Sequence, residues 1–201
     1  MKRLILPAIA VLSSLLLSAC VSTSPVLAPT GKFAAGAASV NLDRDWTDMS
    51  NTYMTGRGSK VRVLTIDGLN LNKMLVSEGL TATDPLTIST STGDTKSHPA
   101  LRGKADMSLS EQMEFVSDSI SQLDYHKVET ANPQPVNIDG VKGVRFELTG
   151  VTTDGLNIKG LAQAVSKGGL NYYVVYLAPA EHYYDANLPN AKAVMDSVKL
   201  P

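Results

Sequence analysis

Histidine beside carboxylates is the first arrangement in this sequence that could do chemistry. Of the three histidines, His182 is the most suggestive, because Glu181 and Asp185 stand on either side of it. A histidine oriented by a carboxylate could act as the general base of a hydrolase. The sequence has no G-x-S-x-G nucleophile motif, however. A catalytic zinc site needs three protein ligands, and a third is not evident near His182. We therefore predict no catalytic residue and no metal.

Five of the seven tyrosines lie close together near the C-terminal end. One interpretation is that their rings pack beneath helices while the hydroxyls reach the rim. The other is a binding surface or shallow groove, because tyrosine combines a large contact area with a polar tip. The residues of this candidate surface are Tyr172, Tyr173, Tyr176, His182, Tyr183 and Tyr184.

The N-terminal segment has the pattern of an export signal. A basic start, Met1-Lys2-Arg3, is followed by an apolar run over 4–17 and then by two small residues. Fourteen helical residues span about 21 Å, less than the ~30 Å hydrocarbon core of a bilayer. The sequence therefore predicts a signal peptide over 1–19 and not a membrane-spanning helix.

The end of that segment, Leu17-Ser18-Ala19-Cys20, resembles the lipobox of bacterial lipoproteins. The resemblance implies that the thiol of Cys20 receives a diacylglyceryl group before cleavage, and that acyl chains such as palmitate hold the mature protein at a membrane. Val21 stands where an Asp would favour the inner membrane. We expect anchoring in the outer membrane, facing the periplasm, or outside the plasma membrane if the source is Gram-positive.

Composition limits the remaining possibilities. Loss of Lys2 and Arg3 with the signal peptide leaves 16 basic and 19 acidic residues, a formal charge of −3. That charge does not favour a nucleic-acid partner. Because the chain has one cysteine, no disulfide can form within it. We expect no cofactor, a flexible tether over 20–36 after the lipidated cysteine, and a single globular domain over 37–201.

One helix is clearly predicted between Leu109 and Leu123. Ser108, followed three residues later by Glu111, fits a capping box. The apolar residues recur at spacings of three and four, which gives one stripe along the helix. They are Leu109, Met113, Val116, Ile120 and Leu123.

An antiparallel meander of four strands is predicted after this helix. Asp139-Gly140, Asp154-Gly155 and Gly168-Gly169 fit tight turns between strands. The last strand, over 170–177, is apolar on both faces, which is typical of a central strand covered on both sides. A final helix is expected to open at Pro189.

The first part of the domain has weaker patterns. We expect a strand over 38–42 and a hairpin that joins 49–55 to 60–66 across Gly56-Arg57-Gly58. The stretch 69–107 predicts at most short strands. The fold class is α+β, with one twisted antiparallel sheet packed by at least two helices.

This order of elements resembles the PsbP-like fold. The resemblance is carried by 38–42 with Trp46, the capped helix 108–123, the strands over 136–177 and the helix over 189–200. The fold is shared by photosystem oxygen-evolution subunits, a eukaryotic Ran-binding protein, and DcrB-type and LpqN-type bacterial lipoproteins. The resemblance implies a binding or assembly factor and not an enzyme.

Three functions follow, in decreasing order of preference. The first is a non-catalytic, membrane-anchored lipoprotein that binds an envelope protein or component. The second is a carrier or sensor of a small ligand, with a pocket between sheet and helix near Tyr176 and His182. The third is an envelope hydrolase with His182 as its base, oriented by Glu181 or Asp185.

Overall fold

The computed structural model describes residues 24–53, 59–87 and 101–201. Eight strands form one antiparallel sheet, and two more form a separate hairpin. The strands are β1 (Val26–Ala28), β2 (Gly31–Ala35), β3 (Ala38–Leu42), β4 (Trp46–Asp48), β5 (Val61–Thr65), β6 (Lys73–Ser77), β7 (Tyr125–Ile138), β8 (Val141–Thr152), β9 (Asn157–Lys167) and β10 (Leu170–Pro179). The helices are α1 (Ser50–Tyr53), α2 (Leu109–Ser121) and α3 (Tyr183–Asp196). Within the described ranges, no helix is both long enough and apolar enough to cross a membrane.

The molecule has three layers with the large sheet in the middle. Helix α2 and the segment that precedes it cover one face and close one hydrophobic core. Helix α3 and the β2–β3 hairpin cover the other face and close a second core. The fold is therefore α+β, with a large antiparallel sheet packed by helices on both faces, as the sequence predicts.

The predicted meander is confirmed. Strands β7, β8, β9 and β10 are neighbours in the sheet in the order of the sequence, and every pair is antiparallel. Asp139 and Gly140, in the first turn, have φ angles of 50° and 85°. This left-handed backbone is readily adopted by glycine and tolerated by aspartate, which is why the dipeptide makes a two-residue turn.

Strand β10 is the centre of the sheet, as its apolar pattern indicates. It pairs with β9 on one side and with β6 on the other, in the order β1-β4-β5-β6-β10-β9-β8-β7. Alternate residues enter the two cores: Tyr173 and Val175 face α2, whereas Val174 and Tyr176 face α3. Both faces are buried, so the strand has no polar side.

The capping box of α2 is also confirmed. The backbone N–H of Glu111 donates to Ser108 Oγ at 3.3 Å, and the N–H of Ser108 donates to Glu111 Oε2 at 2.9 Å. Val116 and Ile120 of the predicted stripe are buried against the sheet. Leu109, at the first turn, is 40% exposed.

The tether predicted over 20–36 is shorter than expected. Val26–Ala28 pairs with β4, and Gly31–Ala35 pairs with β3, so these residues belong to the folded domain. Ala35 is fully buried. The segment between the two strands is held at Thr30, whose N–H donates to Asp45 Oδ1 at 2.8 Å. Segments that contain alanine, glycine and proline occur both as linkers and as short edge strands, so amino-acid composition alone does not distinguish a tether from a strand here.

The predicted hairpin 49–55/60–66 is wrong in its first strand. The strand that pairs with β5 is β4, which ends at Asp48, and Ser50–Tyr53 is a short helix. Asp48 Oδ1 accepts a hydrogen bond from the N–H of Ser50 at 2.9 Å, a local contact that satisfies one free N–H at the start of the helix. The predicted turn Gly56-Arg57-Gly58 lies outside the described residues.

The predicted start of the last helix is also wrong. Helix α3 begins at Tyr183, and Pro189 lies inside it. Proline cannot donate to the carbonyl four residues earlier, so that carbonyl loses its helical partner. The helix persists because its apolar side, which includes Tyr184, Ala191 and Val194, is buried against the sheet.

Candidate binding groove

The predicted aromatic surface lies mostly inside the protein. Tyr172, Tyr173, Tyr176 and Tyr184 are at most 7% exposed. Tyr173 belongs to the core under α2, and the other three belong to the core under α3. These four rings therefore do not share one solvent-facing surface, and their placement matches the interpretation that they pack beneath helices.

Two members of that predicted set reach the surface. Tyr183 is half-buried and His182 is exposed, with the two ring centroids 5.2 Å apart in an edge-to-face contact. His182 stands at the start of α3 with a φ of 70°, and its side chain makes no capping hydrogen bond. Tyr176 is fully buried and His182 is exposed, so the two residues near which the ligand-carrier hypothesis expects a pocket lie in different environments.

The hydrolase and metal hypotheses find no support in the geometry near His182. Glu181 Oε1 accepts a hydrogen bond from Asn157 at 3.4 Å and so points to the β9 end of the sheet. Among the described residues, no cluster of three or more His, Cys, Asp or Glu side chains could hold a metal ion. The residues of the predicted lipobox, Leu17, Ser18, Ala19 and Cys20, lie outside the described part of the chain.

A largely apolar groove lies between α2 and the last strands of the sheet. We call it the α2–β7 groove; it encloses about 380 Å³. Its lining residues are Leu109, Ser110, Met113, Glu114, Thr130, Pro133, Pro135 and Val144. The helix supplies one wall and β7 the other, and Val144 of β8 closes the floor.

The local sequence explains why this groove stays open. The capping box fixes the first turn of α2 above β7, and Leu109 and Met113 are the first two residues of its apolar stripe. Deeper along the stripe, Val116 and Ile120 are buried in the core. The start of the helix therefore leaves Leu109 exposed and Met113 only half-buried at the groove.

Strand β7 gives the groove an irregular outer wall. The register with β8 shifts twice, and Lys127 and Asn132 have φ angles of 51° at these irregularities. Pro133 and Pro135 lack a backbone N–H, so they cannot donate to an added strand. An added strand would therefore find no backbone donor at Pro133 and Pro135, the two β7 prolines that line the groove.

The rim of the groove is acidic on the helix side. Glu114 lines it, and Asp118 lies one turn further along the same exposed face. Helix α2 itself contains no lysine or arginine. Glu111 is used in the helix cap and also pairs with Lys104 at 3.5 Å. The groove thus combines an apolar floor with a negative edge.

A second, more polar depression lies at the other end of α2. It encloses about 530 Å³ and includes Lys73 and Tyr125. Lys73 is 8% exposed, and its Nζ lies 5.3 Å from the centre of the Tyr125 ring. Burial raises the pKa of the Tyr125 hydroxyl to about 12. This contact joins β6 to the start of β7 and has a structural role.

The sequence predicts the helical wall of the groove but not the wall formed by β7. The apolar stripe places Leu109 and Met113 on one face of α2, and both line the groove. The other wall was missed, although Pro133 and Pro135 are an available signal. Two prolines two residues apart inside a strand pattern indicate an edge strand, because proline has no backbone N–H to donate to a further strand.

Comparison with known structures identifies the fold. The chain is similar to the cyanobacterial PsbP, CyanoP, of Synechocystis sp. PCC 6803, with a TM-score of 0.50 and 16% identity over 91% of this chain and 96% of that one. At this identity the likeness concerns the fold alone. The chain has the PsbP-like fold that its order of elements predicts.

Two further structures are more distant. The Ran-binding protein Mog1p of Saccharomyces cerevisiae has a TM-score of 0.48 and 10% identity, covering 89% of this chain and 96% of that one. LpqN of Mycobacterium tuberculosis, involved in cell envelope biogenesis, has a TM-score of 0.38 and 11% identity, covering 88% and 92%. No family model and no curated protein sequence matches the chain.

Proposed function

We propose that this chain is a non-catalytic lipoprotein that binds a protein of the cell envelope in the α2–β7 groove. The observation that carries the proposal is an apolar groove at a fixed helix start that the domain leaves uncovered. Leu109 is 40% exposed there, beside Met113 and the two prolines of β7. Exposed apolar side chains that line one groove are typical of an interaction site.

The membrane anchor is the second part of the proposal. It rests on the lipobox-like residues that end at Cys20, and on Val21, which favours the outer membrane and the periplasmic side. An anchor restricts the domain to the neighbourhood of one membrane. This raises the local concentration of a modest binding surface near a partner in that membrane.

The groove also indicates the chemistry of its partner. Apolar side chains of the partner would occupy the floor near Leu109, Met113 and Val144. Lysine or arginine beside them would meet the carboxylates of Glu114 and Asp118. The proposed partner segment is therefore apolar with a basic flank, and it lies in the groove without pairing to β7.

Site-specific crosslinking in intact envelopes tests this proposal. A photoreactive residue replaces Ser110, which is exposed at the groove. We expect one reproducible adduct. Leu109→Ser should reduce its yield several-fold, because burying the exposed 40% of this leucine corresponds to roughly 1 kcal/mol, and 1.4 kcal/mol corresponds to a factor of ten.

Leu156→Ser is a matched control, because Leu156 is 39% exposed but lies at the turn before β9, away from the groove. It should leave the yield unchanged. An adduct that survives Leu109→Ser, or that is lost equally in both variants, would contradict binding in the groove. Circular dichroism of both variants checks that the domain remains folded.

A further inference from the structure

The strand nearest to the proposed anchor has uncovered apolar side chains. Val26 is 50% exposed and Leu27 is 64% exposed, more than any other large apolar residue described. Consecutive residues of a strand point to opposite faces of the sheet. Neither face of β1 is therefore covered at these positions, and the apolar rim of the sheet is open to its surroundings.

The length of chain before β1 limits how far this rim can be from the anchor. Only the five residues 21–25 separate Cys20 from Val26. Even fully extended, this connection spans about 20 Å. The eight-stranded sheet is about 34 Å wide, at ~4.8 Å between neighbouring strands. The connection to Cys20 therefore keeps β1 within about 20 Å of the anchor, a distance shorter than the width of the sheet.

The charge pattern around β1 favours close approach to lipid. No charged residue occurs between Cys20 and Lys32. The nearest carboxylates in the fold are already hydrogen-bonded: Asp48 Oδ1 accepts from the N–H of Ser50, and Asp45 Oδ1 accepts from the N–H and the hydroxyl of Thr30. The segment 21–31 can therefore enter the interfacial region without burying a charged side chain of its own.

We propose that the β1 edge of the sheet rests on the bilayer, with the side chains of Val26 and Leu27 at the interface of the leaflet that holds the lipid anchor. This inference rests on the anchor at Cys20 of the proposed function. No described strand pairs with the outer edge of β1, so we place this edge among the headgroups and not in the hydrocarbon core. The occupant of the apolar rim is lipid, and not a second copy of the chain.

This orientation places one edge of the sheet at the membrane and the other edge away from it. Strand β7 is the opposite edge, about 34 Å along the sheet from β1. With β1 on the membrane, the α2–β7 groove faces away from it. The groove is then accessible to a partner that extends from elsewhere in the envelope.

Fluorescence quenching in vesicles tests the orientation with the full lipidated chain. Because Cys20 is the only natural cysteine, an introduced cysteine is the only free thiol after lipidation. A bimane label is placed at Leu27→Cys, and the matched control is Ala131→Cys, an exposed residue of β7. The vesicles contain phosphatidylethanolamine and phosphatidylglycerol with doxyl-labelled phosphatidylcholine. We expect quenching at position 27 and none at 131.

A second measurement keeps the native rim intact. The label is placed at Pro29→Cys, just after β1, and the quenching should fall when Val26 and Leu27 are both changed to serine. Leu156→Ser should not alter it. The double variant should lose quenching while the same amount of protein is recovered with the vesicles. This result would show that the side chains of Val26 and Leu27 hold β1 against the lipid.

The outcomes separate the two proposals. Recovery on vesicles with no quenching at 27, or with equal quenching at 27 and 131, overturns the orientation and leaves the anchor. Failure of the protein to remain with the vesicles overturns the anchor and the orientation with it. A disulfide-linked dimer of the unlabelled Leu27→Cys protein on the vesicles, formed with a mild added oxidant such as diamide, also overturns the orientation, because a second copy then occupies the rim.

Discussion

The hydroxyl of Tyr176 donates a hydrogen bond to the backbone carbonyl of Tyr183 at 3.0 Å. This contact ties the central strand β10 to the first turn of α3. The rings of Tyr176 and Tyr184 stack with centroids 5.7 Å apart beside it. Burial raises the pKa of the Tyr176 hydroxyl, so it stays protonated and remains a donor at neutral pH.

Tyr176→Phe should lower the free energy of unfolding by about 1 kcal/mol, because it removes the hydrogen bonds that the hydroxyl donates to the carbonyls of Tyr183 and Tyr184. Tyr173→Phe is the matched control on the same strand. In the described part of the chain, the Tyr173 hydroxyl is buried and has no hydrogen-bond partner, so its removal should be neutral or stabilising. Urea unfolding of the two variants measures the difference. Equal destabilisation by both would contradict this account.

Gly160 lies where β9 is closely approached by its neighbours. A Cβ atom there would lie 2.7 Å from Leu177 Cδ2, 2.9 Å from the Tyr176 carbonyl oxygen and 3.0 Å from Leu148 Cβ. Gly160→Ala should therefore destabilise the domain by about 1–3 kcal/mol, the usual cost of overpacking a core.

Gly103→Ala provides the comparison for Gly160→Ala. Its added Cβ would lie 2.9 Å from Met107 Cε, the end of a flexible side chain that can move aside. Thermal unfolding should show a clear decrease in Tm for Gly160→Ala and a smaller one for Gly103→Ala. A decrease in Tm of the same size in both variants would mean that the contact between the added Cβ and the Tyr176 carbonyl oxygen does not cause the destabilisation.

The carboxylate of Asp84 makes part of the stability pH-dependent. Burial raises its pKa, but hydrogen bonds from Lys60 and Thr81 outweigh this effect and hold the pKa below its ordinary value of 3.8. The Lys60 Nζ–Asp84 Oδ2 distance is 2.7 Å. A carboxyl with a depressed pKa adds stability above the pKa of the unfolded chain, and that stability is lost as the pH falls through the folded-state pKa.

Asp84→Asn should therefore be less stable than the wild type by about 1 kcal/mol at pH 7. The difference should shrink as the pH falls below about 4, where the wild-type carboxyl becomes protonated. Urea unfolding at a series of pH values measures it. A difference that stays constant down to pH 2 would exclude the ionised carboxylate as its origin.

Cys20→Ala tests the anchor directly. The alanine methyl cannot accept a lipid, so the variant should lose metabolic palmitate label and move from the membrane fraction to the released fraction. Ser18→Ala, which keeps a small residue before the cysteine, should retain both. Unchanged fractionation of Cys20→Ala would exclude Cys20 as the anchoring residue.

The parts of the fold that the sequence predicts correctly depend on local signals. The turn at Asp139-Gly140 needs residues that accept a positive φ, and the start of α2 is fixed by Ser108 and Glu111, three residues apart. Each signal lies within a few residues, so no knowledge of the tertiary structure is needed to read it.

The parts that the sequence does not predict depend on partners far away. Strand β6 is buried at all five positions, Lys73 included, because it lies between β5 and β10. A short apolar run of this kind does not identify its neighbours. The groove is missed for the same reason, since its two walls, near Leu109 and Pro135, meet only after α2 packs on the sheet.

The pairing of β6 with β10 has a consequence for how the protein reaches its native state. These strands are joined at Ser77, whose Oγ accepts from the N–H of Tyr173 at 2.8 Å across 96 residues of sequence. A chain that is exported with its N-terminus leading delivers β1, β4, β5 and β6 well before β10 emerges from the translocation channel. Until then these strands have an open edge that can join another nascent chain. The sheet of this topology is therefore incomplete between β6 and β9 until β10 is available.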